Sequence, residues 1–276
     1  MPPIGSERFQ PSSPPVPAVK QLAQTVMLRR WRAMGEELYR EVASLARARV
    51  GVEILVSGCG DGVTAVWLAA RTGAAVIGLD PDEARISRAE ARARAAAGVA
   101  PSYEVSPLDD LPHENAVFDA AIGEPALASA RSPARAVAEL ARVTRPRGHV
   151  VLLVPTWSAD VSARDREPLV ERLGLRPFLL VEWKQMVRDA GVGEVVVQDW
   201  SDGGPAARAR GSRPALPQLT WRQKAHIAFR ALHRRGLAAA RTSVHREAEL
   251  LQEVARERAL GFHLISGVKC APGNGR

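Results

Sequence analysis

VEILVSGCGDG, at residues 52–62, says more about the fold of this chain than any other stretch. Val52 to Ser57 is a short, apolar and largely β-branched run, which predicts a buried strand. Gly58 to Gly62 predicts a tight turn, because glycine adopts left-handed backbone conformations without a Cβ clash. A helix is predicted from Val63 to Arg71, so its first free N–H groups face the turn. This order favours a ligand-binding loop, although a turn without a ligand has the same pattern.

Outward from this loop, short apolar runs alternate with helical patterns. Further strands are predicted at 74–79, 102–105, 118–122, 148–154 and 193–198, and helices at 82–97, 133–143 and 181–190. Near-continuously apolar strands in such alternation indicate a parallel sheet that is covered on both faces. Right-handed crossovers then give a doubly wound, mostly parallel α/β sheet, whose strand C-termini line one ligand-binding crevice.

The glycine spacing separates two kinds of nucleotide ligand. A dinucleotide loop follows G-x-G-x-x-G, whereas the glycines here stand at 58, 60 and 62, and Val63 takes the place of the third. A nicotinamide oxidoreductase is therefore disfavoured against a smaller ligand that has an adenosine and an amino-acid tail. Asp80, at the end of the second strand, is placed to accept both ribose hydroxyls. The alternative is a helix N-cap, since Pro81 follows and proline favours the first helical position.

Four stretches resemble the class I S-adenosylmethionine-dependent methyltransferases, and most of all the methyltransferase-11 group, which includes ubiquinone- and menaquinone-biosynthesis-type enzymes. They read ILVSGCGDG, VIGLDPDEARISRAEARA, SPLDDLPHENAVFDAAI and ELARVTRPRGHVVLLVP. VEWKQMVRDAGVGEVVV is similar to the family's penultimate helix and strand, and FHLISGVK (262–269) to its final antiparallel strand. The resemblance covers most of 50–200. It implies a seven-stranded Rossmann-like methyltransferase fold, with S-adenosylmethionine (SAM) as the cofactor in the crevice.

The same resemblance implies roles for residues around the crevice. The glycines of the turn would contact the methionine end of SAM, Asp80 would hold the ribose, Leu108 and Asp109 would read the adenine edge, and Gly123 and Glu124 would flank the methionine portion. The full predicted cofactor-binding set is Ser57, Gly58, Cys59, Gly60, Gly62, Asp80, Pro81, Leu108, Asp109, Gly123 and Glu124.

Two positions depart from the family pattern. Val56 stands where the family usually has Asp or Glu near the end of the first strand, and Asp61 or a backbone carbonyl could serve in its place. Pro107 stands where the adenine loop usually begins with Asp. These departures keep a non-catalytic SAM-binding relative open as an alternative.

Methyl transfer from a sulfonium is an in-line displacement, so it needs alignment more than a fixed catalytic residue. The catalytic residue is therefore left unassigned, with Glu124 as a weak candidate base that could equally be a cofactor contact. Trp157, after the fifth strand, is a weak candidate for acceptor contact, and the alternative is a core tryptophan. His263 and the other C-terminal histidines lack metal-site spacing, so we expect solvated or packed side chains and no metal site.

The chain carries a net charge of +8 with a pI near 10.4, and the excess lies in residues 205–276, which hold 14 Lys/Arg against 4 Asp/Glu. Either a solvated helical face or a phosphate-binding patch explains this charge. The preferred prediction is methyl transfer to a small-molecule or lipid-like acceptor. Methylation of RNA or protein, guided by the basic region, is the alternative, so nucleic acid is a possible but not a favoured partner.

The predicted organisation has five parts: a disordered Pro-rich tail (1–20), N-terminal helices that cover the site (21–49), a SAM-binding core (50–204), a basic helical insert (205–260) and a final strand (261–270). The tail lacks the apolar segment of a signal peptide. No apolar run approaches the ~20 residues that span a bilayer. We therefore expect a cytoplasmic protein without a membrane span, and leave its oligomeric state open.

Overall fold

A computed structural model of the chain describes residues 35–96, 98–158, 176–201 and 260–271, together with positions 166, 170, 221, 224, 225, 229 and 245. The helices are α1 (Glu36–Leu45), α2 (Val63–Thr72), α3 (Glu83–Ala95), α4 (Pro133–Val143) and α5 (Leu180–Asp189). The strands are β1 (Glu53–Ser57), β2 (Ala75–Asp80), β3 (Ser102–Val105), β4 (Phe118–Gly123), β5 (Thr144–Trp157), β6 (Val192–Asp199) and β7 (Leu260–Lys269). A short 3-10 helix, Pro125–Ser129, follows β4.

Seven strands form one sheet in the order β3-β2-β1-β4-β5-β7-β6. The pairs from β3 to β5 are parallel, whereas β7 runs antiparallel between β5 and β6. The prediction of an α/β fold with a seven-stranded sheet is confirmed, and the sheet is mixed. Strand order reverses between β1 and β4, where Ser57 pairs with Gly123, and ligands bind at such a switch point.

The centre of the sheet is buried on both faces. Ile54, Leu55 and Val56 of β1 have no exposed surface, as expected for a parallel strand between two layers of helices. Small residues let the helices approach closely: α4 buries alanines at 136 and 141 beside Leu140. At Gly123 an added Cβ would lie 2.9 Å from three leucine side chains, so packing alone requires glycine there.

Two predicted elements have different limits in the structure. β5 begins at Thr144 and not at Gly148 as predicted, because residues 146–148 form an irregularity within the strand. Arg147 has a φ of 66° there, and the pairing with β4 shifts register. Of the helices predicted for 21–49, the structure describes only the part from Gly35 onward; Gly35 has a φ of 72° and precedes α1.

The predicted tail and most of the predicted insert at 205–260 lie outside the described residues. The five-part organisation of the chain therefore remains a prediction. Within the part of the chain that the structure describes, no helix has both the length and the apolar character needed to cross a membrane.

Candidate active site

The glycine turn is held by backbone hydrogen bonds to β2. The N–H groups of Gly58 and Cys59 both donate to the carbonyl of Leu79, at 2.7 and 2.9 Å. Gly58, Gly60 and Gly62 have φ values of 74°, 54° and 73°, a left-handed conformation that side chains rarely adopt. A Cβ at Gly58 would also lie 2.8 Å from the Cβ of Ala126. Conformation and space therefore both explain the G-x-G-x-G pattern.

Asp80 joins the end of β2 to this turn. Its fully buried carboxylate accepts the Gly60 N–H through Oδ2 at 2.9 Å and the Asp82 N–H through Oδ1 at 3.0 Å. The guanidinium of Arg85 lies 3.8 Å from Oδ2. Burial raises the pKa of the Asp80 carboxyl, although these N–H groups and Arg85 oppose the shift. The carboxylate and the glycine turn therefore converge at one point.

The N-cap of α3 is Asp82 and not Asp80. Asp82 Oδ1 accepts from the N–H groups of Ala84 and Arg85, at 2.9 and 3.2 Å. The alternative reading of Asp80 as the helix N-cap is therefore wrong, and its role toward a ligand stays a prediction. Pro81 lies between the two aspartates and is exposed.

Cys59 packs beneath the turn. The side chain is almost fully buried, and burial raises the pKa of its thiol, with the negative charges of Glu124 and Asp80 adding to the shift. Its Sγ lies close to the backbone of β2, because a Cβ added at Gly78 would be only 3.1 Å from it. A neutral thiol in such packing is not a nucleophile, and the Cys59 N–H helps to hold the turn against β2.

The segment after β3 lies beside the turn. The Ser106 N–H donates to the Asp80 carbonyl at 3.2 Å, and Leu108 Cδ1 would lie 3.7 Å from a Cβ on Gly58. Asp109 is buried, and its Oδ1 lies 3.4 Å from the guanidinium of the exposed Arg131. The segment that holds Leu108 and Asp109 therefore lies at the same edge of the sheet as Asp80.

The end of β4 completes this edge. The Glu124 N–H donates to the Ser57 carbonyl at 2.9 Å, and the Glu124 side chain is buried. The Ser57 hydroxyl is also buried, and it has no hydrogen-bond partner among the described residues. Because buried polar atoms are rarely left unpaired, this hydroxyl is available to a ligand at the switch point.

Four other positions named from the sequence do not line the site in the way the resemblance implies. Val56 is fully buried in the core, and Pro107 is exposed. The Asp61 carboxylate, the suggested replacement for an acid at 56, pairs with Arg88 at 3.0 Å. Trp157 does not follow the fifth strand as predicted, because β5 is longer and Trp157 is its last residue. Its side chain is buried, and its backbone N–H donates to the Phe178 carbonyl at 2.9 Å.

A polar group that the sequence did not predict lies on the last three strands. Thr156 Oγ1 and His263 Nδ1 are 2.9 Å apart, and His263 Nε2 lies 3.9 Å from Asp199 Oδ1. The spacing of the histidines has no signal for this arrangement, because the Thr156–His263 contact spans 107 residues. Among the described residues, no cluster of three or more potential metal ligands occurs.

Comparisons with known proteins agree with this geometry. Residues 55–152 match the family model described as a methyltransferase domain. This part of the chain is similar to methyltransferase domains. The matched span includes the glycine turn, Asp80 and the end of β4, and domains of this class use SAM. The residues fit such a cofactor, since a buried carboxylate, an unpaired hydroxyl and a left-handed glycine turn lie together at the carboxyl ends of β1 and β2.

The relatives cover different extents of the chain. An O-methyltransferase, resE, from Aspergillus sclerotiorum is 30% identical over 118 residues, which are 42% of this chain and 45% of that protein. The chain spans between about a third and a half of the length of the curated relatives it matches.

Two solved structures share the fold. The (4+2)-cyclase SpnF has a TM-score of 0.66 and 22% identity, with 94% of this chain and 98% of that one covered. A geranyl diphosphate C-methyltransferase from Streptomyces coelicolor has a TM-score of 0.61 and 15% identity, with 85% and 77% covered. At these identities the likeness concerns the fold alone.

Proposed function

We propose that this protein transfers a methyl group from SAM to a small-molecule or lipid-like acceptor by in-line displacement. The observation that carries the proposal is the 2.9 Å hydrogen bond between the Gly60 N–H and the buried Asp80 carboxylate, inside the matched methyltransferase domain. This bond brings together the two proposed binding elements for SAM: Asp80 for the ribose and the glycine turn for the methionine end.

In this proposal Asp80 accepts the ribose hydroxyls with the lone pairs that its two N–H bonds leave free. The backbone at Gly58–Gly62 and the Ser57 hydroxyl hold the methionine end, and Leu108 and Asp109 line the adenine. Glu124, beside Ser57, flanks the methionine portion. The cofactor supplies a methyl group on a positively charged sulfur, and the protein aligns it with the acceptor.

Such alignment is worth about 7–11 kcal/mol of the barrier, so no nucleophile of the enzyme is required. The buried Ser57 hydroxyl and Glu124 side chain would hold the cofactor in place. Glu124 remains a weak candidate base, because its burial beside the turn suits a cofactor contact equally well.

The acceptor class is supported by the relatives. One acts as an O-methyltransferase, and one fold neighbour is a geranyl diphosphate methyltransferase, by their names. Both suggest small or lipid-like acceptors. Methylation of RNA or protein would instead depend on the basic residues 205–276, and a binding affinity for RNA that falls steeply with salt would favour it.

A second candidate is ligand binding without methyl transfer. It is favoured by the buried, apolar Val56 and the exposed Pro107 at two positions where the resemblance expects acids. The same fold also occurs, over nearly its whole length, in a protein named as a cyclase and not as a methyltransferase.

Calorimetry with the full chain tests the proposal. We expect SAM and S-adenosylhomocysteine (SAH) to bind at one site per chain, and NAD not to bind. Transfer of labelled methyl groups to a set of phenols, carboxylic acids, amines and prenyl diphosphates then separates the two candidates. Binding without transfer to any of them would favour the second, and no binding of SAM or SAH would overturn both.

A further inference from the structure

We infer that Thr156, His263 and Asp199 form the proton-accepting unit of the acceptor site, and that the acceptor is therefore a weakly acidic hydroxyl. This inference rests on the proposed function and names its substrate class. It assigns His263 as the general base, with Thr156 and Asp199 as the residues that position it.

The three residues lie on neighbouring strands at the carboxyl end of β5. His263 pairs with Asp199 of β6 and with Val154 of β5, and Leu152, two residues earlier, pairs with Gly123. His263 is therefore about 7 Å beyond the end of β4 along the strands, and about 10 Å from it across the sheet. In our proposal the acceptor lies in this space, beside the end of β4 where the cofactor is proposed to bind.

The side chains share one face of the sheet. Thr156 pairs with Gly261, and residues two apart on a strand point the same way, so Thr156, Gly261 and His263 form one row. A Cβ at Gly261 would lie 2.7 Å from Ser201 Oγ, 3.1 Å from Thr156 Oγ1 and 3.3 Å from the His263 ring. The absence of a side chain at Gly261 is what allows these polar groups to meet.

The hydrogen bonds orient the ring. When Nδ1–H donates to Thr156 Oγ1, the Nε2 lone pair is free to take a proton. Asp199 Oδ1, at 3.9 Å, is too far for a hydrogen bond to Nε2 but close enough to stabilise a positive ring. The Ser201 N–H (2.8 Å) and hydroxyl (2.5 Å) donate to the same oxygen, so this carboxylate is held in place.

Methylation of a hydroxyl requires a base that removes the hydroxyl proton, and these three residues would supply it. The acceptor oxygen forms a bond to the methyl carbon as the carbon–sulfur bond breaks and its electron pair returns to sulfur. The hydroxyl proton passes to His263 Nε2 and then to water. Burial lowers the pKa of His263 and Asp199 opposes the shift, so the ring is neutral at pH 7. Among the described residues next to the ring, Asp199 is the acidic one, and Thr156 and Ser201 present hydroxyl groups.

The test compares His263→Gln and His263→Ala with wild type, using phenol, catechol and 4-nitrophenol as acceptors and labelled SAM as donor. His149→Gln is the matched control, because His149 is also a partly buried histidine of the sheet, near the start of β5. We expect the rate of transfer to fall about 10²–10⁴-fold in both His263 variants, as for loss of a general base. His149→Gln should keep the wild-type rate.

Two further readouts separate a base from a merely structural residue. Added imidazole should restore activity to His263→Ala, and Thr156→Val should shift the pH profile of kcat. SAH affinity should stay the same in all variants. Wild-type rates in His263→Gln, or a folded His263→Ala variant that imidazole does not rescue, would overturn the assignment of His263 as the general base. SAH binding by wild type without methylation of any of these phenols would overturn the hydroxyl assignment alone, whereas no SAH binding would overturn the proposed function.

Discussion

Replacing Asp80 with alanine removes the carboxylate at which the two halves of the proposed cofactor site meet. The N–H groups of Gly60 and Asp82 then lose their acceptor, at about 1–3 kcal/mol each. Removal of a buried charge offsets part of this cost, because burial raises the pKa of Asp80. We expect the free energy of unfolding to fall by about 1–4 kcal/mol in total.

The effect on the cofactor should be larger than the effect on the fold. Two ribose hydroxyls that donate to a carboxylate contribute about 1.5–3 kcal/mol each, so their loss predicts a fall of about 3–6 kcal/mol in binding free energy. That corresponds to a Kd for SAH about 10²–10⁴ times higher. Calorimetry below the unfolding temperature of the variant, located by circular dichroism, measures it directly.

Asp82→Ala is the matched control for this change. It removes the N-cap of α3 two residues away, at a cost of about 1 kcal/mol in stability. Its backbone N–H still donates to Asp80, so SAH affinity should not change. A folded Asp80→Ala variant with wild-type affinity, or an equal loss of affinity in both variants, would refute the reasoning.

Two other perturbations have defined outcomes. Gly62→Ala should lower the melting temperature and weaken SAH binding. An alanine in the left-handed conformation costs about 1–2 kcal/mol, and its Cβ would meet the Tyr103 hydroxyl. An unchanged melting temperature would contradict this expectation. Asp119→Asn should make stability less sensitive to acid: burial raises the pKa of Asp119, but the Glu53 N–H and Arg145 lower it overall. The ionised Asp119 carboxylate therefore stabilises the fold fully above about pH 4, the ordinary pKa of an aspartate, and this stabilisation is lost as the pH falls further. Urea unfolding at pH 7 and pH 3 measures the difference, which should be smaller in the variant than in wild type.

The parts of the fold that the sequence predicted are those with local causes. β1 and β2 are continuous apolar runs bounded by Glu53 and by Asp80, and the helices between strands follow from apolar spacing and caps. The glycine turn was predictable because three left-handed positions need three glycines. The convergence of Asp80 on that turn followed from strand order, since the carboxyl ends of adjacent parallel strands meet at one edge.

The remaining features depend on contacts between distant residues. The Pro146–Gly148 stretch has the composition of a turn, but its pairing with β4 keeps it in β5 as an irregularity. Thr156 meets His263 only because β7 returns antiparallel beside β5, after 107 residues. Neither residue carries a local signal, since a threonine and a histidine on strands are most simply read as packed or solvated.

A crystal structure of the full chain with SAH tests most directly whether one adenosyl-amino-acid ligand joins the glycine turn to the end of β2. We predict that both ribose hydroxyls lie within about 3.0 Å of the Asp80 carboxylate oxygens. The amino-acid end should lie against the backbone at 58–62 and the Ser57 hydroxyl. Density for SAH elsewhere in the molecule, with the Asp80 carboxylate still enclosed by Gly60 and Asp82 alone, would contradict the assignment.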